Sequence, residues 1–191
     1  MKIYFIASSR LVGASPKLYS KMYAYLSTQG KMVSDKVMKW IKTGIKDISG
    51  APLKFTKENY IQSLDAVKKA DIVVMETSGH SMSMGYLIGK ALEMNKPVIA
   101  LHDIEHIPAF IQGINDPKLI ISEYKEGDVE EIMEKALKKA NSLIDVRFNF
   151  FVSSKILNYL DWVSQKKMLP RSVFLRDLIE KEIKKDKEFK M

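Results

Sequence analysis

Residues 70–101, ADIVVMETSGHSMSMGYLIGKALEMNKPVIAL, decide the fold. The run DIVVMET (71–77) is apolar and rich in β-branched residues, and too short for a helix, so it reads as a strand buried on both faces. It ends in SGHSMSMG (78–85), a small polar loop containing glycine. A helix follows over 85–95, and PVIAL (97–101) is a second buried strand. Strand, helix and strand without a hairpin signal make a crossover unit, which pairs its strands in parallel.

The same alternation continues outward. Upstream, KIYFIA (2–7) is a strand and SSRLVGAS (8–15), with Gly13, a polar loop. Pro16 opens a helix in which Leu18, Met22, Tyr25 and Leu26 share one face until Gly30 stops it. A short strand over 31–33 follows, then a helix over 36–46 capped by Ser34, a turn at SGAP (49–52), and a helix from Thr56 through Ala70. Downstream, 108–113 is a helical turn, 118–124 a fifth strand and 129–143 a helix. The expectation is an α/β domain with a parallel sheet and helices on both faces. Ligands of such sheets sit at the carboxyl ends of the strands, where strand order reverses, so the loops after Ala7, Thr77 and Leu101 should surround a pocket.

Composition narrows the class. The 191 residues are 46% hydrophobic and 28% charged, which excludes a disordered or fibrous chain. No apolar run nears the roughly 20 residues of a membrane span, and MKIYFIASSR is too short for a signal peptide. With no cysteine there is no disulfide framework, cysteine-ligated zinc, iron–sulfur cluster or cysteine nucleophile. The expected location is cytoplasmic, without a membrane partner. The net charge is +8, half of it in residues 144–191.

That last quarter departs from the βα pattern, so the expected domains are 1–143 and 144–191. Val146, Phe148, Phe150 and Val152 alternate with Arg147, Asn149 and Phe151, a period of two. Ser153 or Ser154 caps a helix with Ile156, Leu157, Leu160 and Val163 on one stripe. After the break QKKMLPRS (165–172) a second helix carries Phe174, Leu175, Leu178, Ile179 and Ile183. So small a piece cannot bury its faces alone and needs another chain or the first domain. The end, KEIKKDKEFK (181–190), reads as a solvated, frayed helix terminus.

Several motifs bear on chemistry. The loop 78–85 runs into a helix start, where free backbone N–H groups and the helix dipole favour a phosphate. MKIYFIASSR, LYSKMYAYLSTQG (18–30), ADIVVME (70–76), SMSMGYLIG (81–89), NKPVIAL (95–101) and AFIQG (109–113) together resemble the nucleoside 2-deoxyribosyltransferase family, including its deoxynucleoside-monophosphate N-glycosidases. The resemblance implies a flavodoxin-like five-stranded sheet and a nucleoside or nucleotide site. By position it implies ligand contacts for Tyr4, Ser8, Ser9, Arg10, Ser81, Gly85 and Tyr86.

The chain departs from that family where the chemistry lies. Leu87 stands at the position of the family's nucleophilic glutamate, Ser63 at that of its helper aspartate, and Pro108 at that of a contributed serine. Glycosyl transfer through a covalent intermediate needs a carboxylate at the anomeric carbon, which leucine cannot supply. Glu76 is the remaining carboxylate candidate for catalysis. HDIEH (102–106) gathers two imidazoles and two carboxylates but lacks helical ligand spacing, so it reads as a polar loop rather than a metal site. No cofactor is implied.

Residues 147–183 resemble the ribbon-helix-helix repressors, whose single strands pair between two chains into a ribbon that enters the major groove. The resemblance implies base contacts for Arg147, Asn149 and Phe151 and a phosphate clamp at Arg171 and Ser172, with Met168 where the family has a turn glycine. A dimerisation device without DNA contacts and a helix pair docked on its own sheet are the alternatives. Three functions follow. The first is a DNA-binding transcription regulator, homodimeric or larger, with a non-catalytic nucleotide- or nucleoside-binding sensor domain. The second is an enzyme of the deoxyribosyltransferase or N-glycosidase type using a relocated carboxylate such as Glu76 or Asp103, or one from a partner subunit. The third is a structural oligomer with a vestigial pocket.

Overall fold

Side chains of β1 (Lys2–Ala7) alternate between two cores, because successive residues of a strand point to opposite faces. Ile3, Phe5 and Ala7 enter one core, Tyr4 and Ile6 the other. The alternation repeats in β3 (Ile72–Glu76), where Ile72 and Val74 oppose Val73 and Met75, and in β4 (Val98–Asp103), where Ile99 and Leu101 oppose Val98 and Ala100. The computed structural model describes residues 1–44, 51–79, 81–144 and 150–189, and for Arg10 the backbone alone.

With β2 (Lys31–Met32) and β5 (Leu119–Tyr124) these strands form one parallel sheet in the order β2-β1-β3-β4-β5. This is the flavodoxin-like order, with its reversal between β1 and β3. One face is covered by α1 (Ser9–Ala14), α2 (Pro16–Gln29), α3 (Lys36–Thr43) and α7 (Val129–Ser142). The other is covered by α4 (Leu53–Lys69), α5 (Met82–Glu93) and the single turn α6 (Ala109–Gln112).

Three local expectations shift. The stretch 8–15, read as loop, contains α1, because Leu11 and Val12 present an apolar turn to the core and Val12 is fully buried. Thr56 does not open α4; that helix starts at Leu53 behind Pro52, and the Thr56 hydroxyl donates back to the Pro52 carbonyl at 3.2 Å. In α5 the N-cap is Ser81, which puts Gly85 inside the helix.

The chain divides into two compact units, Met1–Val146 and Arg147–Met191. In the second, the Ser153 hydroxyl caps α8 (Ser154–Lys167) by accepting the Ile156 N–H. The helix stops at Met168, whose φ of +52° closes it with Leu169 N–H on the Ser164 carbonyl at 3.2 Å. Left-handed backbone costs a non-glycine residue roughly 1–2 kcal/mol, which is why glycine is the usual choice there. Then α9 (Arg171–Lys185) packs Phe174 against Leu160 and Val163 of α8. Of the strand expected over 146–152, residues 145–149 lie outside the described residues and 150–152 form no strand. Among the described residues no helix is long and apolar enough to cross a membrane.

Candidate active site

The crossovers after β1 and β3 leave on opposite faces of the sheet, so a crevice opens where the two strands end. It is a cleft of about 480 Å³, within the ordinary size of a small-molecule site. Ile6, Ala7, Ser8 and Ser9 line it from β1 and the residues after it, and Ser81, Met82, Ser83, Met84, Tyr86 and Leu87 from α5. From the far side α3 contributes Lys36 and Trp40, and α4 contributes Thr56, Asn59, Tyr60 and Ser63.

Two loops meet tightly below it. A Cβ built on Gly79 would stand 2.7 Å from Ser8 Cβ and 2.9 Å from Leu11 Cδ1, so only glycine lets the β3 loop lie against the β1 loop. Among the described residues no side chain caps the first turn of α5; the Ser81 and Ser83 hydroxyls pair with each other instead, at 2.8 Å. Free N–H groups at the start of a twelve-residue helix, flanked by hydroxyls, suit an anion. One turn on, Tyr86 and Tyr60 share a hydroxyl–hydroxyl bond of 3.0 Å. That bond is the main reason the Tyr86 hydroxyl is held above its usual pKa.

Lys36 and Ser63 meet at 2.9 Å although 27 positions separate them. The Ser63 hydroxyl donates to the Asn59 carbonyl at 2.8 Å, so its oxygen is left to accept from the lysine. Burial lowers Lys36 to a pKa of about 8. Tyr4 is fully buried, and among the described residues its hydroxyl has no hydrogen-bond partner. Burial pushes that hydroxyl up to about 12, against the opposing effect of Ser63.

Of the residues expected at the ligand, Ser8, Ser9, Ser81 and Tyr86 line this one cleft. Gly85 lines a neighbouring apolar depression of about 500 Å³ that also holds Pro108 and Phe110. Tyr4 lies within the core, and the Arg10 side chain is outside what is described. Lys36, Trp40, Asn59 and Tyr60 carry no motif; packing of α3 and α4 brings them in, and no local pattern points to them.

Glu76 sits on the α2 and α7 side of the sheet, completely buried. Its Oε2 accepts the Tyr19 hydroxyl at 2.7 Å, and its Oε1 accepts the Tyr124 hydroxyl and the Ser78 N–H, both at 3.1 Å. Burial first, and the neighbouring carboxylate next, hold both phenols far above their usual range, so they remain donors.

In the segment 102–106, the buried His102 donates from Nδ1 to the Asp103 carbonyl at 2.7 Å. The Asp103 carboxylate accepts the N–H groups of Glu105 and His106 and pairs with His106 Nδ1 at 2.7 Å. The motif is a self-bonded turn, and among the described residues no cluster of three or more ligating side chains could hold a metal. His80 lies outside the described residues.

No family model matches the chain. Over 137 residues it is 26% identical to the 5-hydroxymethyl-dUMP N-hydrolase of Rattus norvegicus, covering 70% of this chain and 82% of that one. The protein of the same name from Tetraodon nigroviridis is 26% identical over 141 residues, covering 70% and 95%. Among solved structures, a Clostridium botulinum CMP N-glycosidase shares the fold, with a TM-score of 0.51 and 16% identity over 70% of this chain and 99% of that one.

These relatives overturn the reading as a DNA-binding transcription regulator, since the proteins that match most of the chain carry enzyme names. The tail gives DNA no support either. Arg171, expected to clamp a phosphate, is ion-paired with Asp161 of α8. Ser172 lies beside it in the first turn of α9, Phe151 is fully exposed in a segment that is not a strand, and Arg147 and Asn149 lie outside the described residues.

Proposed function

We propose that this protein hydrolyses the N-glycosidic bond of a nucleoside 5′-monophosphate in the cleft at the ends of β1 and β3. The observation that carries the reading is the sequence of surfaces along α5. Its first turn offers the Ser81 and Ser83 hydroxyls and uncapped N–H groups, and the next offers Met84, Tyr86 and Leu87. Ser81 and Leu87 are separated by about 9 Å along a helix that rises about 1.5 Å per residue. That spacing suits a ligand with an anion at one end and a flat apolar ring at the other.

In this reading Ser8, Ser9, Ser81 and Ser83 hold the phosphate, with Arg10 as a further ligand contact. Tyr86, tied to Tyr60, borders the sugar and base, while Tyr4 stays in the core and Gly85 lines the neighbouring depression. The names of the relatives support the reaction class. In this reading Glu76 is structural, its buried carboxylate taken up by three hydrogen bonds.

The test is incubation of the purified chain with nucleosides and their 5′-monophosphates, followed by chromatography for free base. Release from the monophosphates, slower from the nucleosides, is expected. Absence of release from every substrate refutes the reading.

A further inference from the structure

The cleft has no carboxylate among its described lining residues. Adding water across a carbon–nitrogen bond still needs a group that takes the water's proton. Three described lining side chains can exchange a proton: Tyr60, Tyr86 and Lys36. The two phenols are bonded to each other, which leaves Lys36.

We propose that the Lys36 amine is the general base of this cleft. It takes a proton from the water whose oxygen bonds to the anomeric carbon. The carbon–nitrogen bond breaks, its electron pair leaves with the nucleobase, and the leaving nitrogen is protonated by solvent. The proposal rests on the hydrolase reading above and supplies the residue that reading lacks.

The geometry prepares an amine for this task. Ser63 holds Nζ by one N–H at 2.9 Å, and the fixed direction of the Ser63 proton toward Asn59 makes it an acceptor. The Trp40 ring lies 5.2 Å from Nζ and packs one side of the chain. The Trp40 contact favours the ammonium, and Asp35, Lys39 and Glu58 line a smaller depression with Lys36. Among the described residues, however, no carboxylate pairs with Lys36, so burial outweighs these contacts. It is also the first residue of α3, where the helix dipole disfavours a cation. Its lowered pKa, about 8, makes roughly half of it free amine at that pH and about a tenth at pH 7.

The experiment measures kcat/KM for free-base release from deoxynucleoside 5′-monophosphates between pH 6 and 9.5, for the wild type, Lys36→Met and Lys36→Arg. Nucleotide affinity is followed by calorimetry. A wild-type rise of about tenfold from pH 7 to 9 is expected, since this profile reports the free enzyme's base. Lys36→Met keeps the stem against Trp40, and should lose about a hundredfold or more in kcat with affinity within a few-fold. Lys36→Arg should be as inactive, because a guanidinium stays protonated. An active Lys36→Arg would show that charge, not proton transfer, is what matters, and would overturn the proposal. So would an active Lys36→Met or a flat profile. Nucleotide binding without base release at any pH removes the hydrolase reading itself, whereas release by both wild type and Lys36→Met removes only the base.

Discussion

Replacing Glu76 by Gln separates a structural carboxylate from a catalytic one. The shape is kept, but one of the three donors that converge on Glu76 then faces an NH₂ group instead of an oxygen. If that donor is the Tyr19 hydroxyl, now 2.7 Å from Oε2, it must turn round, and its proton is left without an acceptor in a site with no exposure. A buried unsatisfied group costs about 1–3 kcal/mol, and the remaining bonds lose their charge assistance. Burying an amide in place of a carboxylate returns part of this. The net expectation is a loss of about 2 kcal/mol, which for a unit of this size lowers Tm by roughly 4–8 °C. Urea unfolding at neutral pH, with Tyr fluorescence and far-ultraviolet dichroism as probes, measures it. At temperatures where the variant is folded, base release should stay within a few-fold of wild type. An unchanged midpoint with abolished release would refute this reasoning and return Glu76 to the chemistry.

Gly79→Ala should destabilise the first unit by about 1–3 kcal/mol and weaken nucleotide binding in calorimetry, because its Cβ would overlap Ser8 at 2.7 Å. The hydrogen bond and charge of Asp103 raise His106 above its ordinary value of 6.5, so a proton NMR titration of Asp103→Asn should bring the ring back toward that value. Partial burial alone would raise Asp103, yet the His106 pairing and two backbone N–H groups bring it below 3.8. The His106 contribution to this turn is therefore full below the ordinary histidine range and lost as pH rises through the raised value. The Asp103 contribution is lost only as pH falls through its depressed value. The second unit buries Leu160, Val163 and Phe174 but leaves Ile156, Leu157, Leu178, Ile179 and Ile183 exposed. The full chain should therefore sediment as a homodimer, and Ile179→Lys should shift it toward monomer.

In the tail, half of the +8 lies in residues 144–191, and the pair of Arg171 with Asp161 leaves that excess unchanged because it takes one charge of each sign. Charge counting assigns a sign to a segment, whereas the folded ion pair shows which arginine is engaged. Met168, a departure where the resemblance implied a turn glycine, ends its helix with φ of +52°.

By itself the sequence determined the parallel sheet, because runs such as IVVME and VIAL are apolar on both faces and only a strand covered on both sides buries them. It also pointed to the loops after Ala7, Thr77 and Leu101 as the edge where a pocket should open, since the connections between parallel strands bring them together. Residues after Ala7 and Thr77 line the candidate cleft, and none of the described residues after Leu101 does. Which side chains fill that edge was decided by tertiary structure alone. Alternation along β3 puts Glu76 with Ile72 and Val74, but no local pattern says that Tyr19, Tyr124 and Ser78 will take up its carboxylate. Lys36 and Ser63 are two unremarkable polar residues on separate helices until α3 and α4 bring them to 2.9 Å. Packing also removes the water that would keep that lysine an ordinary ammonium, and desolvation is a property of the folded site, not of the residue.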